Sequence, residues 1–246
     1  GTRGLSSILI TSDYGHVLID GGMPEAAPQI VANITALGFK PTDVKAILNS
    51  HAHVDHAGGL AELQRLTGAP IYVRRPSEAV LRTGKSGRDD PQAGPPLPPV
   101  PAAKGQIWIV SDQQLLGVGS IRLQALATAG HTPGGTTWTW ESCEGTACLK
   151  MVYADSLTPL ARAGFRYSGD KDYPTARSDL EQAFATLETL PCDVLVTPHP
   201  ESVQLLERVT ARDATQGATL KQEGACKAYA AKGRQALAER LAAEAR

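Results

Sequence analysis

The stretch Val44-Lys45-Ala46-Ile47-Leu48-Asn49-Ser50-His51-Ala52-His53-Val54-Asp55-His56-Ala57-Gly58-Gly59 decides how the rest of the chain is read. Val44–Leu48 is a short apolar run of the kind that forms a strand in an α/β protein. It leads straight into three of the six histidines of the chain. In extended backbone, side chains two residues apart point the same way, so His51 and His53 can face one ion. Asp55 and His56 follow where the chain turns into a helix expected over 57–66, and Gly58-Gly59 is read as the sharp bend there. One loop can thus supply two ligand sets. Imidazole with carboxylate suits zinc. A chance cluster of surface histidines is the bland alternative. The position at a strand end in an α/β sheet argues against it.

Upstream, strands are expected over 5–10 and 17–20, and a helix over 24–37 with Pro24 at its start and Gly38 at its end. Downstream, Gly68 stops the 57–66 helix and a strand follows over 70–73. The order strand-helix-strand-helix-strand is that of an α/β fold. The segment 82–105 differs. It holds Pro91, Pro95, Pro96, Pro98, Pro99 and Pro101 and little apolar periodicity. A lid or binding loop and a passive surface loop are both open. Strands resume at Ile107–Val110, Ile121–Ala127, 136–140 and 149–153. A helix over 180–190, a strand over 194–197 and a helix over 224–245 with a solvated charged face complete the pattern. No internal repeat is visible. His131 follows the strand Ile121–Ala127, and His199 follows the strand 194–197. Five of six histidines therefore stand at the C-terminal ends of three strands, and His16 is left as an ordinary turn residue.

The 246 residues are 42% apolar and 20% charged with a net charge of −1, which describes a soluble globular chain, read here as one domain over 1–246. Lys and Arg are scattered, so a nucleic-acid partner, which needs a basic stripe, is not expected. No apolar run approaches the ~20 residues that span a bilayer, so no membrane partner is expected either. Gly1-Thr2-Arg3-Gly4 runs directly into the first strand, which suggests that residues upstream are missing. Cys143 and Cys148 bracket a turn and suit a hairpin-closing disulfide, leaving Cys192 and Cys226 to pair by elimination. An even count without CxxC spacing leans toward an oxidising compartment, with four reduced, buried thiols as the alternative.

His-x-His-x-Asp-His, Gly130-His131-Thr132-Pro133-Gly134, Tyr153-Ala154-Asp155-Ser156 and the late His199 together resemble the metallo-β-lactamase superfamily. The likeness runs from Asp20-Gly21-Gly22 to the C-terminal helix. Thr136-Thr137-Trp138-Thr139-Trp140, Pro191-Cys192-Asp193 and Ala225-Cys226-Lys227-Ala228-Tyr229 look like the third subclass of class B β-lactamases. There Ser156 would stand where other class B enzymes place a cysteine ligand. The resemblance implies an αβ/βα four-layer sandwich of two mixed sheets with helices outside. It implies two zinc ions, one held by His51, His53 and His131, the other by Asp55, His56 and His199. It matches Cys192 with Cys226, and some members also carry a bond like Cys143–Cys148. The implied reaction is hydrolysis of penicillins, cephalosporins and carbapenems by a metal-bridging hydroxide, conferring antibiotic resistance. Asp55 and His131 are the catalytic pair in this reading, and Ser156 and Thr158 bind the substrate carboxylate. A periplasmic or secreted monomer is expected. Asp155 supports the site from outside in this reading, while in other branches of the superfamily an aspartate bridges the metals. The rivals are a glyoxalase-type thioester hydrolase or lactonase, and a non-catalytic zinc-binding protein.

Overall fold

A computed structural model describes residues 4–95, 98–215 and 220–246. Gly1, Thr2, Arg3 and Pro96, named above, lie outside the described residues. The first sheet has the order β1-β2-β3-β4-β5, formed by Ile8–Ile10, His16–Ile19, Val44–Leu48, Ile71–Arg74 and Ile107–Val110. All its pairings are parallel except β1 with β2. The second sheet has the order β10-β9-β8-β7-β6, formed by β6 (Leu115–Val118), β7 (Ile121–Ala127), β8 (Thr136–Glu144), β9 (Ala147–Tyr153) and β10 (Val194–Val196). Only β10 with β9 is parallel there.

Alternation along the strands builds the layers. In β2, Val17 and Ile19 face the second sheet while Leu18 faces outward. In β3, Ala46 and Leu48 point inward and Val44 and Ile47 outward. Both faces of β2 are buried and β3 exposes Lys45 alone, which is why these strands read as apolar runs. The outer face of the first sheet is covered by α1 (Ala27–Ala36), α3 (Leu60–Thr67) and α4 (Arg75–Thr83). The outer face of the second is covered by α5 (Ala176–Thr189) and α7 (Ala225–Glu244). A Cβ on Gly233 of α7 would lie 2.5 Å from the Phe184 ring of α5, so glycine there lets the two helices close up. Helix, sheet, sheet and helix make the expected four layers.

Three ties cross between the sheets just below the histidines. The Trp138 indole donates to the Asn49 carbonyl at 3.1 Å and the Tyr153 hydroxyl to Asp20 at 2.8 Å. The Thr136 amide donates to the Ser50 carbonyl at 2.8 Å. Both disulfides expected from the sequence are present, Cys143–Cys148 across the β8–β9 hairpin and Cys192–Cys226 to the start of α7.

Several expectations change. The helix expected over 57–66 is two pieces, α2 (Val54–Ala57) and α3, joined by Gly58-Gly59. These glycines have ordinary helical φ values of −60° and −82°, so they are not a flexible bend. A Cβ on Gly59 would lie 2.3 Å from the Gly21 carbonyl oxygen, and one on Gly58 would lie 2.5 Å from the Pro24 ring. Bare backbone is needed for close approach. The start of the 24–37 helix is a 3-10 turn, Pro24–Ala26. His16 is no turn residue. It opens β2 and is 5% exposed, it accepts a bond from the Ser12 amide, and it packs edge-on against Phe39 at 4.6 Å. Helix α4, strand β6 and helix α6 (Leu205–Thr215) were not expected.

Candidate metal centre

Each of three strand ends delivers a histidine by a different local device. Just past β2, Asp20 takes φ 60° and turns its buried carboxylate under the loop that leaves β3. It accepts from the Asn49 side chain at 2.9 Å, the Ser50 amide at 2.7 Å and the Ser50 hydroxyl at 2.6 Å. Burial pushes this carboxyl up, and His56 and the Ser50 bonds pull it back. The loop that carries His51 is thereby pinned. Beyond β7, Gly130 at φ 124° redirects the chain toward His131. A Cβ there would also lie 2.7 Å from the Leu180 amide of α5. Beyond β10, the Thr197 hydroxyl donates to the His199 carbonyl at 2.7 Å.

The rings then converge. His51 and His53, and His51 and His131, have ring centroids 4.8 Å apart, and His53 and His131 are 5.0 Å apart. One nitrogen from each of these three lies within 4.8 Å of the others, and the same holds for ligand atoms of His51, Asp55 and His56. His199 joins the second set: its Nε2 lies 3.1 Å from His56 Nε2 and 3.4 Å from Asp55 Oδ2. The structure therefore brings together all six expected ligands.

The outward nitrogen of three rings faces a carboxyl or carbonyl oxygen. His51 Nδ1 meets Asp155 Oδ1 at 2.7 Å, His53 Nε2 meets the Asp90 carboxylate at 3.1 Å, and His131 Nδ1 meets the Thr158 carbonyl at 2.8 Å. Each of these nitrogens carries the proton, so the other is bare. The bare His51 Nε2 is buried with no hydrogen-bond partner, as suits a nitrogen aimed at a cation. This arrangement fits a metal, since imidazoles that ligate are usually held from behind in this way. All four cysteines are in disulfides, so no thiolate competes for the ion. Burial pushes His51 well below the ordinary histidine range, with help from neighbouring imidazoles, and takes His131 down to about 3. Both are neutral, as ligands must be. Burial works to raise Asp55, but bonds from His199 and His56 outweigh it and hold it far below the carboxylate range.

The six residues line one cleft of about 450 Å³, together with Ser156, Thr158, Gln92 and Leu160. A larger hollow of about 550 Å³ lies against α3, but its buried polar residue, Gln64, is already bonded to the 105–106 backbone. Asp155 is fully buried behind His51 rather than between the two ligand sets. Sequence reasoning missed Asp90 and Gln92, whose segment shows no periodicity that would mark them. Gln92 Nε2 lies 3.3 Å from His131 Nε2.

The sequence profile of the metallo-beta-lactamase superfamily matches residues 1–199. The fold superposes on the Rm3 metallo-beta-lactamase with a TM-score of 0.96 at 50% identity, covering 100% of this chain and 91% of that one. It also superposes on MEM-A1, a subclass B3 metallo-beta-lactamase isolated from a soil metagenome library, with a TM-score of 0.96 at 47% identity and coverage of 100% and 92%. A curated relative, ribonuclease TTHA0252 of Thermus thermophilus, is 34% identical over 170 residues, which are 63% of this chain. That match spans only 38% of the ribonuclease, and the next two curated relatives are matched over 51% and 49% of their lengths.

Proposed function

The chain belongs to the metallo-beta-lactamase superfamily, and from that premise we propose that it hydrolyses the β-lactam ring of penicillins, cephalosporins and carbapenems with two zinc ions. The observation that carries this is the pairing of two ligand sets with a thiolate-free cleft, on a chain similar along its whole length to B3 lactamases. His51, His53 and His131 would hold one ion, and Asp55, His56 and His199 the other. When bound, such a pair supplies a nucleophile at neutral pH and Lewis acidity at the lactam carbonyl.

The chain's own residues do the rest. Asp155, Asp90 and the Thr158 carbonyl keep three imidazoles aimed inward. Asp55 orients the attacking water by accepting its hydrogen bond. Ser156, 5% exposed in the cleft wall, and Thr158 donate to the carboxylate that penicillins and carbapenems carry beside the ring. No side chain is needed as nucleophile. The placement of Asp155 on the outer nitrogen of His51 favours this reading over a thioesterase or lactonase with a bridging aspartate. Two disulfides and the lack of any described helix long and apolar enough to cross a membrane support a periplasmic or secreted enzyme. We read it as a monomer with a role in antibiotic resistance and no nucleic-acid partner.

The test is turnover of a chromogenic cephalosporin and a carbapenem beside a thioester and a lactone, with and without EDTA. Lactam hydrolysis that EDTA abolishes and zinc restores is expected. Full activity in EDTA, or turnover of the thioester or lactone alone, would overturn the proposal.

A further inference from the structure

The proline-rich segment enters the site with a carboxylate. Asp90 is 5% exposed, and its two oxygens lie 3.2 and 3.1 Å from His53 Nε2. Asp90 Oδ1 also accepts the Gln92 amide at 2.8 Å, which folds the segment into a tight local turn. A carboxylate in this place can only accept, so it fixes the ring plane of His53 and leaves Nδ1 bare. Asp90 sits 37 residues from His53 and belongs to no helix or strand. Something else must hold it in place.

That holder is Arg162. Its guanidinium donates to the Asp90 carbonyl at 2.6 Å, the Pro91 carbonyl at 3.4 Å and the Arg88 carbonyl at 3.4 Å. Its own amide donates to the Pro91 carbonyl at 2.8 Å, and the guanidinium lies over the buried Phe165 ring at 5.5 Å. A fork of donors is what gathering three carbonyls requires, and a lysine ammonium has no such fork.

We propose that Asp90 is a positioning residue for His53 and that Arg162 is its clamp, so that docking of the 82–105 segment and metal binding stabilise each other. The inference rests on the metal-binding reading above. By linkage, the factor by which zinc favours the docked segment equals the factor by which docking tightens zinc.

The experiment measures zinc affinity of the full chain by competition with a chromophoric chelator, together with trypsin cleavage after Lys85 and Arg88. Asp90→Ala should weaken zinc by roughly 10–100-fold. Asp90→Asn should lose less, because its carbonyl still accepts from His53 Nε2–H. The exchange-protected His53 Nε2–H signal in the proton NMR spectrum of the zinc-loaded protein should vanish in Asp90→Ala. Arg162→Ala changes no group in contact with a histidine. It should speed cleavage at Arg88 and weaken zinc by a similar factor, and Arg162→Lys should not restore either. Unchanged zinc affinity in Asp90→Ala refutes the positioning role. Faster cleavage of Arg162→Ala with wild-type zinc affinity refutes the coupling. If the wild type itself binds no zinc, the metal-binding reading fails and this inference with it.

Discussion

Substituting Gly59 by alanine tests how the site is positioned. A Cβ there lies 2.3 Å from the Gly21 carbonyl oxygen and 3.3 Å from that of Met23. Ordinary contact begins near 3.4 Å, so the backbones must part by about 1 Å. Two hydrogen bonds span this approach, Gly59 to the Gly22 carbonyl at 3.0 Å and Gly21 to the His56 carbonyl at 2.8 Å. Overpacking costs about 1–3 kcal/mol and each strained bond about 1 kcal/mol, giving a loss of about 3–5 kcal/mol. The displaced turn is α2, which carries Asp55 and His56, and metal ligands tolerate errors of only about 0.2 Å. Zinc affinity should therefore fall at least about tenfold. Urea unfolding of the zinc-free protein reads the first effect and chelator competition the second. A Gly59→Ala protein with the wild-type urea midpoint and wild-type zinc affinity would show that the glycine serves no close approach.

Further outcomes follow from other parts of the chain. Ser156→Ala should raise KM about tenfold with little change in kcat, because a bond to a charged group contributes roughly 1.5 kcal/mol, and a fall in kcat alone would refute its binding role. Replacing Cys192 and Cys226 by serine should cost about 4 kcal/mol, and replacing Cys143 and Cys148 about 2 kcal/mol, since the first bond closes 34 residues of sequence separation and the second 5. Denaturant midpoints would reveal a reversed order. Glu244 accepts from the Tyr167 and Ser168 amides at 2.9 and 2.8 Å and from Arg240 at 2.7 Å. Against the upward push of burial, these bonds hold its carboxyl at about 2. A lowered carboxyl stabilises the fold fully above its unfolded value of about 4.3, and that contribution is lost as pH falls toward 2. With solvent screening it amounts to about 1–2 kcal/mol. Glu244→Gln should therefore flatten the fall in zinc-free stability between pH 5 and pH 2, and an unchanged slope refutes the assignment.

The readable parts of the sequence are those where burial repeats with a period. Val17 to Ile19 are buried on both faces and Val44 to Leu48 expose Lys45 alone, and their apolar runs announce the central strands. Helix α4 was missed because Val80 and Leu81 are its only large apolar residues among charged neighbours. Strand β6 was missed because it is an edge with Leu115 69% exposed. The histidines were legible because they stand immediately past strand ends. Asp90 was not, because a carboxylate in an aperiodic segment shows nothing of the ring it will meet in space. Gly58-Gly59 was seen and misjudged: composition marks where glycine is required, and only the opposing backbone of Gly21 and Pro24 tells why.

The three bonds from Trp138, Tyr153 and Thr136 to Asn49, Asp20 and Ser50 bear on a further matter, the offset between the layers. Apolar burial has no direction, so two greasy sheet faces can slide by a fraction of a residue at almost no change in area. Directional bonds remove that freedom, and here all three sit at the one end of the sandwich where loops from opposite sheets must meet at atomic distance. They act as the graduations of a ruler laid across the seam. A sandwich with phenylalanine at 138 and 153 would keep its layers and its bulk, and of the three bonds only that from the Thr136 amide would remain to align His51 and His131.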